Sequence, residues 1–177
     1  MLRIKKRNLL ITALLVFFLS LIHMSMNNIQ AAALDPNEYI DSLQYGDSEL
    51  YDGGTTQLDV TFSEKTANSI QSGDTITLNL PPELTGVNAT ITLSEYATAT
   101  ITSGQIVIAF NSNVASHTNV RGDFHLNLRA NMDNNPNDSQ VVDGNLGLNN
   151  LPPNNITINK IPAPDVYPFG YKGGSPI

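Results

Sequence analysis

From residue 56 onward, apolar and polar residues alternate with a period of two: Leu58, Val60 and Phe62 interleave with Gln57, Asp59 and Thr61. Successive side chains of a β-strand point to opposite faces, so this rhythm puts one face in a core and the other in water. It returns at 74–80, where Ile76, Leu78 and Leu80 share a face, and again at 89–93, 98–102, 105–110, 120–130, 140–148 and 156–161. Residues 40–45 complete a set of about nine predicted strands. Turn-forming clusters separate them at Asp52-Gly53-Gly54, Ser72-Gly73-Asp74, Ser103-Gly104, 133–138 and Asp143-Gly144. Pro81-Pro82 ends the second strand, because neither proline can donate to a ladder. Short strands at this spacing predict an all-β, antiparallel sandwich or barrel with one solvated face per strand. Thr recurs on the alternate faces, as in "DTITLNL" and "NATITL", where its β-branch suits a pleated surface. Helix is expected only as one short turn over 63–71, with Ser63 as N-cap and Glu64 in its first turn.

The N-terminus reads as a secretory leader. Arg3, Lys5, Lys6 and Arg7 precede an apolar run over 9–22 and a small-residue exit at Ala31-Ala32-Ala33. That run is shorter than the roughly 18 residues a membrane-spanning helix needs. The organisation expected is therefore a signal peptide over 1–33, a β-sandwich over 34–161 and a Pro/Gly-rich tail over 162–177. Cleavage after Ala33 would remove four of nine basic residues and none of sixteen acids, taking the formal charge from −7 to 5 − 16 = −11. Such a surface repels phosphate backbones and anionic lipid, so no nucleic-acid partner and no membrane insertion after cleavage are expected. The chain holds no cysteine, which excludes disulfides, thiolate metal sites and a Cys nucleophile. Export without disulfides, with a mature chain rich in Asn, Thr and Ser, suggests a Gram-positive bacterial source. The sequons at Asn88, Asn137 and Asn155 are then chance matches in an Asn-rich chain.

Little in the sequence points to catalysis. His125 alternates with Phe124, Leu126 and Leu128 and should face water, whereas His117, in the polar run 111–119, has no acid or second His nearby in sequence to orient it. There is no Gly-X-Ser-X-Gly elbow, no phosphate-cradling glycine loop, and no carboxylate pair in a setting that would split their pKa values. The run "DNNPND" at 133–138 imitates the start of a calcium loop. It lacks the glycine at the sixth position, and Gly144 stands where a bidentate acid belongs, so a solvated turn is the expectation. No enzyme activity, cofactor or metal is expected. The tripeptide Arg121-Gly122-Asp123 invites an integrin reading, but it opens a predicted strand instead of occupying a loop tip.

Three stretches in order carry a family likeness: "GGTTQLDVTFSEKTANSIQSGDTITLNLPPELTG", "SGQIVIAFNSNVASHTNVRGDFHLNLRA" and "ITINKIPAPDVYPFGYKGG". Together, over roughly residues 48–161, they resemble the immunoglobulin-like adhesin domain of Gram-positive surface proteins, the type found in clumping factors, serine-aspartate repeat proteins and the collagen adhesin. The resemblance implies an immunoglobulin-like β-sandwich, an extracellular or cell-surface location, and a host extracellular-matrix or plasma protein as partner. In that family two subdomains pack in tandem, and an extended peptide docks between them and is locked by an added strand. Relatives carry Thr-Phe-Thr-Asp-Tyr-Val where this chain reads Ala109, Phe110, Asn111, Ser112, Asn113 and Val114. Phe110, Asn111, Ser112, Asn113 and Val114 are thus the ligand-binding candidates implied, although Ser112 and Asn113 replace the family's Asp and Tyr. The partner subdomain and a Leu-Pro-X-Thr-Gly sorting motif are not found in this sequence. Without Trp or Cys, the core must be built from Leu, Ile, Val and Phe, not around a Trp packed on a disulfide.

The reading that follows is a secreted or surface-associated, non-catalytic binding module. The alternative is a structural stalk or spacer domain without a ligand of its own, and a secreted hydrolase is the third reading, lacking any locatable acid cluster.

Overall fold

The computed structural model describes residues 31–162, and all but residue 162 of the expected tail over 162–177 and all but residues 31–33 of the expected leader over 1–33 lie outside them. Contacts divide the chain into Met1–Ala31 and Ala32–Ile177, and it is the second unit that is described below. Its described part is all-β, with twelve strands: β1 (Ala33–Leu34), β2 (Ile40–Tyr45), β3 (Glu49–Tyr51), β4 (Thr55–Ser63), β5 (Thr75–Asn79), β6 (Leu84–Gly86), β7 (Ala89–Ser94), β8 (Ala97–Ile101), β9 (Gln105–Phe110), β10 (Arg121–Ala130), β11 (Ser139–Asp143) and β12 (Asn155–Asn159). A single helical turn, α1 (Pro36–Tyr39), follows β1, and a 3-10 helix (Ser112–Ser116) joins β9 to β10.

The strands form a five-stranded sheet in the order β1-β5-β9-β8-β7, a four-stranded sheet β2-β4-β10-β6 and a three-stranded sheet β11-β12-β3. Pairing is antiparallel except for β1 with β5 and β3 with β12. The core collects the inward residues predicted by alternation. Leu58, Val60 and Phe62 of β4 and Phe124, Leu126 and Leu128 of β10 are buried from the four-stranded sheet, and Ile76, Leu78, Ile106 and Ile108 from the five-stranded one. Each fully buried side chain of this kind stabilises by about 1.5–3 kcal/mol relative to exposure. Phe62 and Phe110 join the two sheets edge to face, with ring centroids 5.8 Å apart. The core also contains Tyr39, Met132, Ala97, Ala99 and Ala130, a wider composition than Leu, Ile, Val and Phe. The alanines of β8 leave room for the facing layer, and Met132 is flexible enough to fill an irregular gap.

Two local expectations change. Residues 63–71 hold turns and no helix, and Asn68 takes a positive φ of 60°. The helical reading fails because Glu64 does not serve a local first turn. Its buried carboxylate accepts hydrogen bonds from Ile70 N at 3.0 Å and from Val120 N at 3.2 Å, the second donor lying 56 residues away. The strand expected over 140–148 stops at Asp143, since Leu146 and Gly147 both adopt positive φ, at 55° and 82°. Asp143 then holds the turn, accepting from Asn145 N and Gly147 N. At the other signature turn, Gly73 has φ 91°, which lets Gly73 N reach Phe110 O at 2.8 Å.

Candidate functional site

The residues implied by the family likeness lie where β9 ends. β9 is an inner strand between β5 and β8, so its last residue, Phe110, is fixed on both sides, with its N–H donating to Asp74 O and its carbonyl accepting from Gly73 N. The chain then leaves the sheet at Asn111. Asn111 caps the 3-10 helix, its side-chain oxygen accepting from Asn113 N at 2.8 Å, which satisfies a donor left free at the helix start. Its Nδ2 and that of Asn113 both donate to Glu95 O, at 2.9 and 2.8 Å. Two asparagines from one loop therefore clamp the β7–β8 turn, and Asn111 N adds a bond to Tyr96 O.

The five candidates divide by burial. Phe110 and Val114 are 3% and 2% exposed and belong to the core, where they hold the loop from beneath. Asn111, Ser112 and Asn113 are exposed and make up the reachable surface. Beside them stand His117 and two residues that the sequence did not single out, Glu95 and Tyr96. His117 Nε2 lies 3.1 Å from Glu95 Oε1, and its ring sits edge-on to Tyr96 with centroids 4.9 Å apart. The Tyr96 hydroxyl donates to Arg121 O and receives Arg121 N. The acid that orients His117 thus exists, 22 residues upstream in the hairpin turn, which corrects the expectation that His117 stands alone. A Glu-Tyr pair at a two-residue turn was a visible signal of exposure, but not of this partner. An exposed pair of this type adds little stability and mainly sets local geometry and charge.

The remaining motifs are placed as follows. Arg121, Gly122 and Asp123 pair with Ser63, Phe62 and Thr61 of β4, so the tripeptide is ladder, not loop tip. His125 is exposed on β10. Residues 133–138 fold into side-chain-bonded turns, with Asp133 N donating to Asn131 Oδ1 and Asn137 N to Asn135 Oδ1. A polar groove of 370 Å³ lies nearby, lined by Asp52, Thr85, Arg129, Asn131 and Asp133. Among the described residues no three His, Asp or Glu side chains gather as a metal site, and no helix is long and apolar enough to cross a membrane.

Open backbone lies elsewhere than at Phe110. β10 is paired with β4 over nine residues, whereas β6 covers its other side only at Leu128, Arg129 and Ala130. Residues 122–126 therefore have no ladder partner on that side among the described residues. β7 is a second edge, paired with β8 alone. An unpaired strand edge is a template for an added strand unless it is covered.

The bacterial Ig domain family matches residues 49–140 in sequence, more than half of the chain. The chain belongs to that family. Its fold is similar to that of the Enterococcus faecalis MSCRAMM ACE, a protein described as binding its ligands by the collagen hug model. The two share 28% identity at a TM-score of 0.62, over 77% of this chain and 48% of that one. The collagen adhesin of S. aureus is similar in fold at 24% identity and a TM-score of 0.60, over 76% and 47% of the two chains. So is the collagen binding domain of the Erysipelothrix rhusiopathiae surface protein RspB, at 21% and 0.54, over 75% and 49%. This bacterial Ig domain is thus of the adhesin type found in Gram-positive surface proteins, and it spans about half the length of each of these chains. No curated protein matches it in sequence.

Proposed function

We propose that this bacterial Ig domain is exported through its N-terminal leader and acts at or beyond the cell surface as a non-catalytic binding module for an extracellular protein of the collagen or plasma type. The observation that carries this reading is the 28% identity to ACE over 77% of the chain, in a fold whose strand β10 leaves backbone open at 122–126. An extended ligand segment pairs with such an edge through its main chain, and side-chain pockets set its register. Asn111, Ser112 and Asn113, with Glu95 and His117 beside them, form the rim next to the start of β10. Phe110 and Val114 support that rim without touching the ligand.

The test is saturable binding of the secreted chain to immobilised triple-helical collagen, fibrinogen and fibronectin. Binding to at least one is expected, and Ser112→Arg, on the exposed 3-10 helix, should weaken it about tenfold, equivalent to about 1.4 kcal/mol. A flat response to all three ligands from a folded protein sinks the adhesin reading and leaves the stalk role. Unchanged affinity in the Ser112→Arg protein moves the contact surface away from 110–114.

A further inference from the structure

Asp74 is 2% exposed, and neither oxygen of its carboxylate meets a side-chain cation among the described residues. Its Oδ2 accepts from Gln71 N at 2.7 Å, and its Oδ1 accepts from the backbone nitrogen of Ala32 at 2.8 Å. The next group along, Ala32 O, accepts from Thr75 N at 2.9 Å, after which Ala33 and Leu34 pair in parallel with Thr75 and Ile76. A buried carboxylate without a positive partner is costly, and this one holds its single long-range hydrogen bond to a nitrogen that lies at the exit of the leader. Ala31 and Ala32 are themselves exposed.

The leader offers three cleavage registers. Signal peptidases require small residues at the exit. The bonds after Ala31, Ala32 and Ala33 all provide alanine on the acyl side, with Ile29, Gln30 and Ala31 two residues further back. The fold distinguishes among the three products. A cut after Ala33 removes half of β1, leaves Asp74 Oδ1 without its donor and leaves Thr75 N without its acceptor. A cut after Ala32 also removes both the Asp74 and the Thr75 bonds. A cut after Ala31 keeps every one of them, and the nitrogen facing Asp74 becomes a charged terminal amine.

We propose that the leader is removed between Ala31 and Ala32, two residues before the end of the alanine run, and that the new α-ammonium of Ala32 is the missing cationic partner of buried Asp74. The step is hydrolysis of one peptide bond by an exported peptidase. Water supplies the oxygen of the Ala31 carboxylate, and the freed amine of Ala32 takes up a proton to become the ammonium. Charge assistance then shortens and strengthens a bond that an uncleaved chain makes only as a neutral amide. Export thereby completes this corner of the fold, because the leader's removal creates a positive charge beside Asp74 where the described residues supply none.

This inference rests on export, not on the adhesin reading. Its first test is the intact mass and N-terminal sequence of the protein secreted by a Gram-positive host given the full chain. A start at Ala32 is expected. A start at Ala33 or Leu34 overturns the inference, and an uncleaved Met1 chain overturns export along with it, while neither result bears on ligand binding. The second test is acylation of the α-amine by an activated ester, read on the N-terminal peptide by mass spectrometry. The native secreted protein should react about tenfold more slowly than the same protein in urea, the factor that one pKa unit gives. Equal rates overturn the ion pair. Asp74→Asn should abolish the protection, and if that variant does not fold, the comparison of native with unfolded wild type still decides the matter.

Discussion

Gly122, the centre of the Arg-Gly-Asp tripeptide, tests whether this motif is retained for packing. It is the second residue of β10 and lies opposite Phe62 of β4. A methyl group at Gly122 would stand 2.7 Å from Phe62 Cζ and 2.8 Å from Cε1, where carbon atoms prefer about 3.5–4.0 Å. The ring is held by its surroundings: Phe62 is 1% exposed and packs edge to face on Phe110, itself 3% exposed, with the rings inclined at 71°. Forcing extra volume into such a core costs about 1–3 kcal/mol, whereas replacing a strand glycine by alanine returns about 0.5–1 kcal/mol of backbone entropy. The net loss for Gly122→Ala is therefore about 0–2.5 kcal/mol, centred near 1 kcal/mol, which is read as a Tm drop of about 3–5 °C. Gly104→Ala is the control, since a methyl there meets nothing within 4 Å. It should be neutral or slightly stabilising in urea unfolding. Combining Gly122→Ala with Phe62→Leu should recover part of the Gly122→Ala loss, giving a coupling of about 1 kcal/mol. If Gly122→Ala unfolds at the same urea concentration as Gly104→Ala, or the coupling is zero, the packing account of this glycine is wrong.

Asp123→Ala changes an exposed position of the same ladder and should leave both the urea midpoint and integrin-dependent cell attachment unchanged; attachment lost in that variant would restore the integrin reading. Glu64→Ala strips the acceptor from two buried backbone N–H groups and should cost about 2–4 kcal/mol, with hydrogen exchange at Ile70 and Val120 accelerating most. Tyr45 has a buried hydroxyl without a hydrogen-bond partner among the described residues, and burial, followed by the nearby Asp143 carboxylate, pushes its ionisation far above the usual 10. Because the folded pKa is raised, the contribution of Tyr45 to stability is whole below about pH 10, where the unfolded phenol ionises, and is lost as pH rises further. Tyr45→Phe should be neutral or mildly stabilising at pH 7 and should flatten the alkaline decline; a steeper decline in urea titrations above pH 10 would contradict this.

The nine strands expected from alternation all occur, because the period of two is a local record of which face each residue shows to the core. β1, β3 and β6 escaped notice, since strands of two or three residues are too short to display a period. The candidate site was legible in outline. Phe110 and Val114 followed from the family likeness, and the exposure of Asn111, Ser112 and Asn113 followed from their polarity. Their roles as cap and clamp on Glu95 O were not legible, nor was the His117–Glu95 pair, because those partners meet across a sheet, 16 to 22 residues apart.

What the sequence determined by itself was therefore whatever a side chain records about its own face: strand positions, the β-rich class and the lack of cysteine. Only the tertiary structure decided which backbone groups find partners far along the chain. Glu64 bonds to Val120 instead of starting a helix, and β10 is open at 122–126 because β6 is only three residues long. Asp74, which in sequence is one acid of a turn, becomes the buried counterpart of Ala32, 42 residues before it. A carboxylate's charge and shape are local properties, but the donor that satisfies it is set by the packing of the whole domain.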